Sequence, residues 1–153
     1  MNRRKFLTLS VATAITLPMM ALATDYRTEH PTAWTSKKVD DAVKALYGDV
    51  TLMESKDVTL KMPKVTSQGG AVPVRIKSTI PAKSVSLFQN SNPESAVAVW
   101  TVLDGGIIDY SLKLKIKTLE NGDPSVVTVV IEGKDGQYYT TNASVKVAGG
   151  CEG

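Results

Sequence analysis

Cysteine and histidine are almost missing: Cys151 and His30 are the only ones in 153 residues. One cysteine cannot close an intramolecular disulfide. One cysteine and one histidine cannot fill a four-ligand Cys/His metal site. A Cys-x-x-Cys redox pair is likewise excluded, and a Ser/His/Asp apparatus would have to rely on His30. That histidine sits beside Pro31 in a polar stretch and reads as a surface residue rather than a ligand or catalyst. The glycine pairs at 69–70, 105–106 and 149–150 lack the spacing and the strand-to-helix context of a phosphate loop. Carboxylates are scattered over turns rather than paired. These absences argue against an enzyme and leave a single thiol as the one chemical feature.

Positive charge is also scarcer than it first looks. The whole chain carries 18 basic and 15 acidic residues. Three of the basic ones, Arg3, Arg4 and Lys5, open a segment that reads as an export signal. Paired arginines precede Phe6-Leu7, a moderately apolar run follows to Leu22, and Ala21-Leu22-Ala23 offers small residues where a signal peptidase needs them. The alternative, a membrane anchor, is disfavoured because the run is polar-interrupted and short of the roughly 20 residues a span requires. Residues 1–23 are therefore expected to be a twin-arginine signal peptide, removed after Ala23, and the protein is expected in the periplasm. With the signal gone, 15 basic residues face 15 acidic ones. That balance gives no case for binding nucleic acid or a membrane surface.

The remainder reads as one domain by length, residues 24–147, with a short arm at 148–153. Thr24–Thr35 is polar and without clear periodicity. Ser36 is a possible cap for one amphipathic helix of about three turns, since Val39, Ala42, Val43, Leu46 and Tyr47 recur at helical spacing and Gly48 supplies a stop. From Val58 the period switches to two. Val58-Leu60-Met62, Val72-Val74-Ile76, Val85–Phe88, Ala96–Val102, Leu112-Leu114-Ile116, Val126–Ile131 and the alternate residues Tyr139 to Val147 read as strands, with Val126–Ile131 central. About seven short strands with turn residues between them predict a mainly β chain: an immunoglobulin-like antiparallel β-sandwich with one N-terminal helix and a flexible C-terminal arm. Pro73 predicts an edge or a strand start. Lys113, Lys115 and Lys117 form either a solvated face that discourages edge pairing or a docking surface for an acidic partner. One of Trp34 and Trp100 is expected in the core and the other at the surface, and the sequence does not assign them.

The arm is Ala148-Gly149-Gly150-Cys151-Glu152-Gly153. Glycine lacks a Cβ and visits most of backbone space. Gly149 and Gly150 before the cysteine, and Gly153 after it, are therefore expected to make the segment a swivel. Extended, Val147 to Cys151 spans about 13 Å, at about 3.3 Å per residue. A thiolate forms reversible covalent bonds. On such a stalk, Cys151 could hand a covalently attached group from one enzyme to another. The plainer reading is a stray cysteine or a disulfide-linked homodimer, which would make the chain an exported β-sandwich adaptor.

An export signal, one helix, a β-sandwich and Gly149-Gly150-Cys151 together resemble the SoxY family, the sulfur-carrier subunits of the periplasmic thiosulfate-oxidising system. The stretch Val58–Ile76, with Met62-Pro63, a Gly-Gly turn and Ala71-Val72-Pro73-Val74, also resembles that family's first hairpin. The resemblance implies a heterodimer with a SoxZ-like β-sandwich subunit. It implies that a c-type cytochrome couples thiosulfate to Cys151 and that a hydrolase then releases sulfate. It implies no cofactor beyond the sulfur or thiosulfate adduct on Cys151, and no catalytic residue in this chain. One position departs from the family arm: Glu152 stands where the family has glycine. Its charge disfavours the neighbouring thiolate, so activation of Cys151 is expected to come from partner active sites.

Overall fold

The computed structural model describes residues 24–148. The expected signal peptide, and Gly149, Gly150, Cys151, Glu152 and Gly153 of the arm, lie outside the described residues.

Three short helices lead in, where the sequence predicted one. The Asp25 carboxylate accepts the N–H groups of Arg27 and Thr28 and the Thr28 hydroxyl, capping α1 (Tyr26–Glu29). Those bonds, the Thr28 hydroxyl first, hold its carboxyl below the usual carboxylate range. Pro31 opens α2 (Pro31–Thr35), at the position where a missing N–H costs nothing. Two elements of four and five residues are too short to show a period, so only their caps announce them. α3 (Val39–Tyr47) buries Ala42, Val43 and Leu46 as its stripe predicts, and Gly48, at φ 81°, ends it. Ser36 does not cap it. Ser36 closes α2 instead, its hydroxyl donating to the Thr32 carbonyl at 2.8 Å, and the N-cap of α3 is Lys38.

Nine strands follow: β1 (Leu52–Glu54), β2 (Val58–Lys61), β3 (Val65–Thr66), β4 (Val72–Ser78), β5 (Ala82–Gln89), β6 (Ala96–Thr101), β7 (Ile108–Leu114), β8 (Ser125–Gly133) and β9 (Tyr138–Val147). The larger sheet runs β1-β9-β8-β5-β6, with β3 also on β9; the smaller runs β2-β4-β7. The two-sheet β-sandwich expected from the sequence is therefore present, but it is not wholly antiparallel. β1 and β3 lie parallel to β9. They hold three and two residues, too few for alternation to betray them.

The layers explain the apolar pattern. Val72, Val74 and Ile76 of the smaller sheet meet Val85, Leu87, Val127, Val129, Ile131 and Val145 of the larger in one buried cluster. The other face of the larger sheet carries Phe88 and Val130 against Ala33, Ala42, Val43 and Leu46 of the helices. β5 and β8 are thus covered on both sides, which is why β8 runs nearly continuously apolar, while β5 buries the polar Ser84, Ser86 and Gln89 among its apolar residues. β8 is central, between β5 and β9, as predicted. Pro73 is the second residue of β4, and β2 ends opposite Arg75, so no β2 residue pairs with the proline.

Neither tryptophan is purely core or purely surface. Half-buried Trp34 donates its indole N–H to the Tyr26 carbonyl at 3.3 Å and lies under the Arg27 guanidinium, 4.1 Å away. Half-buried Trp100 packs on Tyr110, with ring centroids 5.0 Å apart. His30 is half-buried rather than at the surface, because its Nδ1 reaches the Ala45 carbonyl at 3.2 Å. A carbonyl only accepts, so Nδ1 carries the hydrogen and ties the first helices to α3.

A polar clasp joins α3 to the larger sheet. The Ser84 hydroxyl donates to Glu132 at 2.9 Å, so the Tyr47 hydroxyl, 3.1 Å away, must donate to Ser84. Burial pushes the Tyr47 phenol up to about 12. The folded state therefore favours the protonated phenol. Its contribution to stability is fully present below pH 10.0 and is lost as the pH rises to about 12. Tyr47→Phe is expected to cost about 1–2 kcal/mol at neutral pH. It should also shrink the loss of stability on the alkaline limb, read by urea melts at neutral and alkaline pH.

Candidate functional site

The last described residues are held to the body by a strap that sequence reasoning missed. After β2 the chain leaves the smaller sheet, crosses to the larger one and pairs briefly with β9 before returning as β4. Val65 lies opposite Lys146 and Thr66 opposite Val147. The Lys146 N–H donates to the Lys64 carbonyl at 2.9 Å, and the Ala148 N–H donates to the Thr66 carbonyl at 2.8 Å. Backbone hydrogen bonding thus reaches Ala148, the residue before Gly149.

The strap is itself locked to the smaller sheet's extension. The Thr66 hydroxyl donates to the Gln68 carbonyl and accepts the Gln68 N–H, turning the chain. Gly69 follows, buried, and its carbonyl accepts the Ile116 N–H at 2.7 Å. A Cβ on Gly69 would stand 2.2 Å from the Ile116 carbonyl oxygen, so the approach requires glycine. The Gly-Gly turn expected between two paired strands is therefore a point of contact between the two sheets. β2 and β4 do pair, from Val58 opposite Ser78 to Lys61 opposite Arg75.

Cys151, Gly149, Gly150 and Gly153, the predicted attachment site and swivel, lie outside the described residues; the structure fixes where they are joined to the domain. Of the predicted lysine ladder, Lys113 lies on the outer face of β7, while Lys115 and Lys117 flank buried Ile116 beyond the strand's end. On the same outer face Arg75 donates two hydrogen bonds to Asp109, at 2.8 and 2.9 Å, and Lys77 adds a contact at 3.1 Å. The Arg75 guanidinium, helped by Lys77, pulls the Asp109 carboxyl down to about 2.

Among the described residues no group of three His, Cys, Asp or Glu side chains could hold a metal ion. No helix among them is long and apolar enough to cross a membrane.

Comparison with known proteins agrees with the fold and extends into the arm. The sulfur carrier protein SoxY from Chlorobium limicola f thiosulfatophilum superposes with a TM-score of 0.64 at 29% identity, over 72% of this chain and 96% of that one. A superoxide reductase (neelaredoxin) from Ignicoccus hospitalis reaches a TM-score of 0.50 at 13% identity, over 60% of this chain and 80% of that one, a likeness of fold alone. No curated protein matches the sequence. The family model of the sulfur oxidation protein SoxY matches residues 43–151, from within α3 through Cys151 itself. The chain belongs to the SoxY family of sulfur oxidation proteins.

Proposed function

We propose that this protein is a covalent carrier of sulfur intermediates in thiosulfate oxidation, holding them on Cys151 and presenting them to successive enzymes. The observation that carries this reading is the family match running through Gly149-Gly150-Cys151, immediately after the last backbone hydrogen bond among the described residues, at Ala148. The body is a handle with a fixed root. Gly149, Gly150 and Gly153 give the arm its freedom, and Cys151 supplies the bond. The chain is not itself an enzyme in this scheme and needs no cofactor.

The chemistry balances around one sulfur atom. The Cys151 thiolate and the outer sulfur of thiosulfate form an S–S bond with loss of two electrons, which a c-type cytochrome accepts. A hydrolase then adds water at the terminal sulfone, releasing sulfate and two protons and leaving a persulfide on Cys151. A SoxZ-like β-sandwich subunit completes the carrier as a heterodimer, and the twin-arginine signal places the pair in the periplasm.

Intact-mass spectrometry of the protein isolated from cells given thiosulfate tests the reading. Sulfur or thiosulfate adducts are expected, mapping to the peptide that contains Cys151. Only a Cys151–Cys151 homodimer, with no adduct in any growth state, would establish the adaptor reading instead.

A further inference from the structure

Most lysines away from the arm root are neutralised within the chain, while five near the root have no acidic partner among the described residues. Lys44 pairs with Asp49, Lys77 with Asp109, Lys83 with Glu132 and Lys134 with Asp104. Lys61, Lys64, Lys113, Lys117 and Lys146 are exposed and have no acidic partner among the described residues. Outside that group the same holds of Lys37, Lys38 and Lys56. The five are brought together by the strap. Lys64 and Lys146 are joined by the backbone bond that anchors the root, and Lys117 follows Ile116, which is bonded to Gly69.

Lys61 and Lys113 edge a groove of about 530 Å³ on the outer face of the smaller sheet, floored by Met62, Pro63 and Pro73, with Arg75 beside them. The groove and the arm root are continuous, because Pro63 lines the one and Lys64 anchors the other. Val65, 60% exposed, adds apolar surface at the junction. Asp109 lies at this face, bonded to Arg75 and Lys77, and Glu94 lies on the far side of Lys113; against these two carboxylates stand Arg75, Lys77, Lys61 and Lys113, which leave the groove in positive excess.

We propose that this basic groove is a docking surface for an enzyme that acts on the arm, one whose active-site mouth carries an acidic rim. The proposal rests on the carrier reading given above. A carrier must visit its enzymes and leave them. Small, charged, partly apolar contacts suit such encounters, whereas a permanent subunit needs a larger apolar one. Unpaired lysines beside the root steer the partner's mouth towards the point where the arm begins, without a cost for breaking internal ion pairs.

The test is a Lys61→Glu/Lys113→Glu double variant of the full heterodimer, loaded with thiosulfate by the c-type cytochrome and followed by intact mass across a range of sodium chloride concentrations. Neither side chain makes a described contact, so the fold and the subunit complex, checked by thermal melt and native mass spectrometry, should be unchanged. Loading of the wild-type protein should slow with salt, and the variant should load about tenfold more slowly at low salt with little salt dependence. Alkylation of Cys151 by a small neutral reagent should be equal in both. Equal loading with the same salt dependence overturns the docking proposal and leaves the carrier intact. Loss of the heterodimer in the variant also overturns it, by assigning the groove to the permanent subunit. A wild-type protein that takes up no thiosulfate ends the carrier reading, and the docking proposal with it.

Discussion

Cys151→Ser should leave the melting temperature where it is and abolish sulfur-dependent turnover. A serine oxygen cannot form the S–S bond on which loading depends, and no neighbouring thiol can substitute, because the chain has no other. The structural cost should be small. Among the described residues the last backbone hydrogen bond to the body is made by Ala148, and the substitution exchanges one small side chain for another three residues further on. An exchange of small side chains that removes no described contact is expected to stay within about 0.5 kcal/mol. The two readouts therefore separate cleanly. A thermal melt and native mass spectrometry report an intact, partnered protein, while a reconstituted mixture of carrier, cytochrome and hydrolase releases no sulfate. Turnover that survives the substitution would end the carrier reading outright. The same experiment bears on Glu152: whatever that carboxylate does to the thiolate, it cannot restore a reaction whose sulfur is gone.

What the sequence made legible follows from how far apart the interacting residues lie. β4 announces itself because one of its faces is wet: Val72, Val74 and Ile76 are buried while Pro73, Arg75 and Lys77 are exposed, and alternation survives in the letters. β8 announces itself by the lack of alternation, since Val127, Val129 and Ile131 face the sandwich and Val130 faces the helices. α1 and α2 leave only Asp25 and Pro31 as signals, and both stand in a stretch whose composition otherwise reads as loop. β3 leaves no signal. Val65 and Thr66 are a strand only because Lys146 and Val147 arrive beside them from the far end of the chain. The candidate site divides along the same line. Its chemistry is local, one thiol behind two glycines, and is written in order. The root of the arm and the basic groove are assembled from residues near 61–69, 113–117 and 146–148, and no spacing rule joins those.

The strap's dependence on a single glycine gives the second large effect. Gly69→Ala places a methyl carbon 2.2 Å from the Ile116 carbonyl oxygen, a backbone atom that cannot rotate out of the way. The backbone at Gly69 is not in the left-handed region, so alanine adopts it without conformational strain and the penalty is steric alone. To relieve the clash, the strap and the Ile116 segment must separate. That stretches the 2.7 Å bond from the Ile116 N–H to the Gly69 carbonyl, and Ile116 is only 2% exposed. Overpacking of about 1–3 kcal/mol and a strained or unsatisfied buried amide of about 1–3 kcal/mol act together. A loss of about 2–4 kcal/mol, or about 10 °C in Tm, is expected. Gly70→Ala is the internal control, because a Cβ there meets nothing within 4 Å, and it should melt within a degree or two of wild type. The damage at Gly69 should also be directional. As the strap shifts, the amides of Lys146 and Ala148, which donate to Lys64 and Thr66, should lose protection from hydrogen exchange before those of β8 do. Loading by the cytochrome should then fall, while alkylation of Cys151 by a small reagent stays unchanged, because the root no longer presents the arm in one direction beside the groove. A Gly69→Ala protein that melts like wild type and keeps its Ala148 amide protected would show that the arm root is not held by this contact.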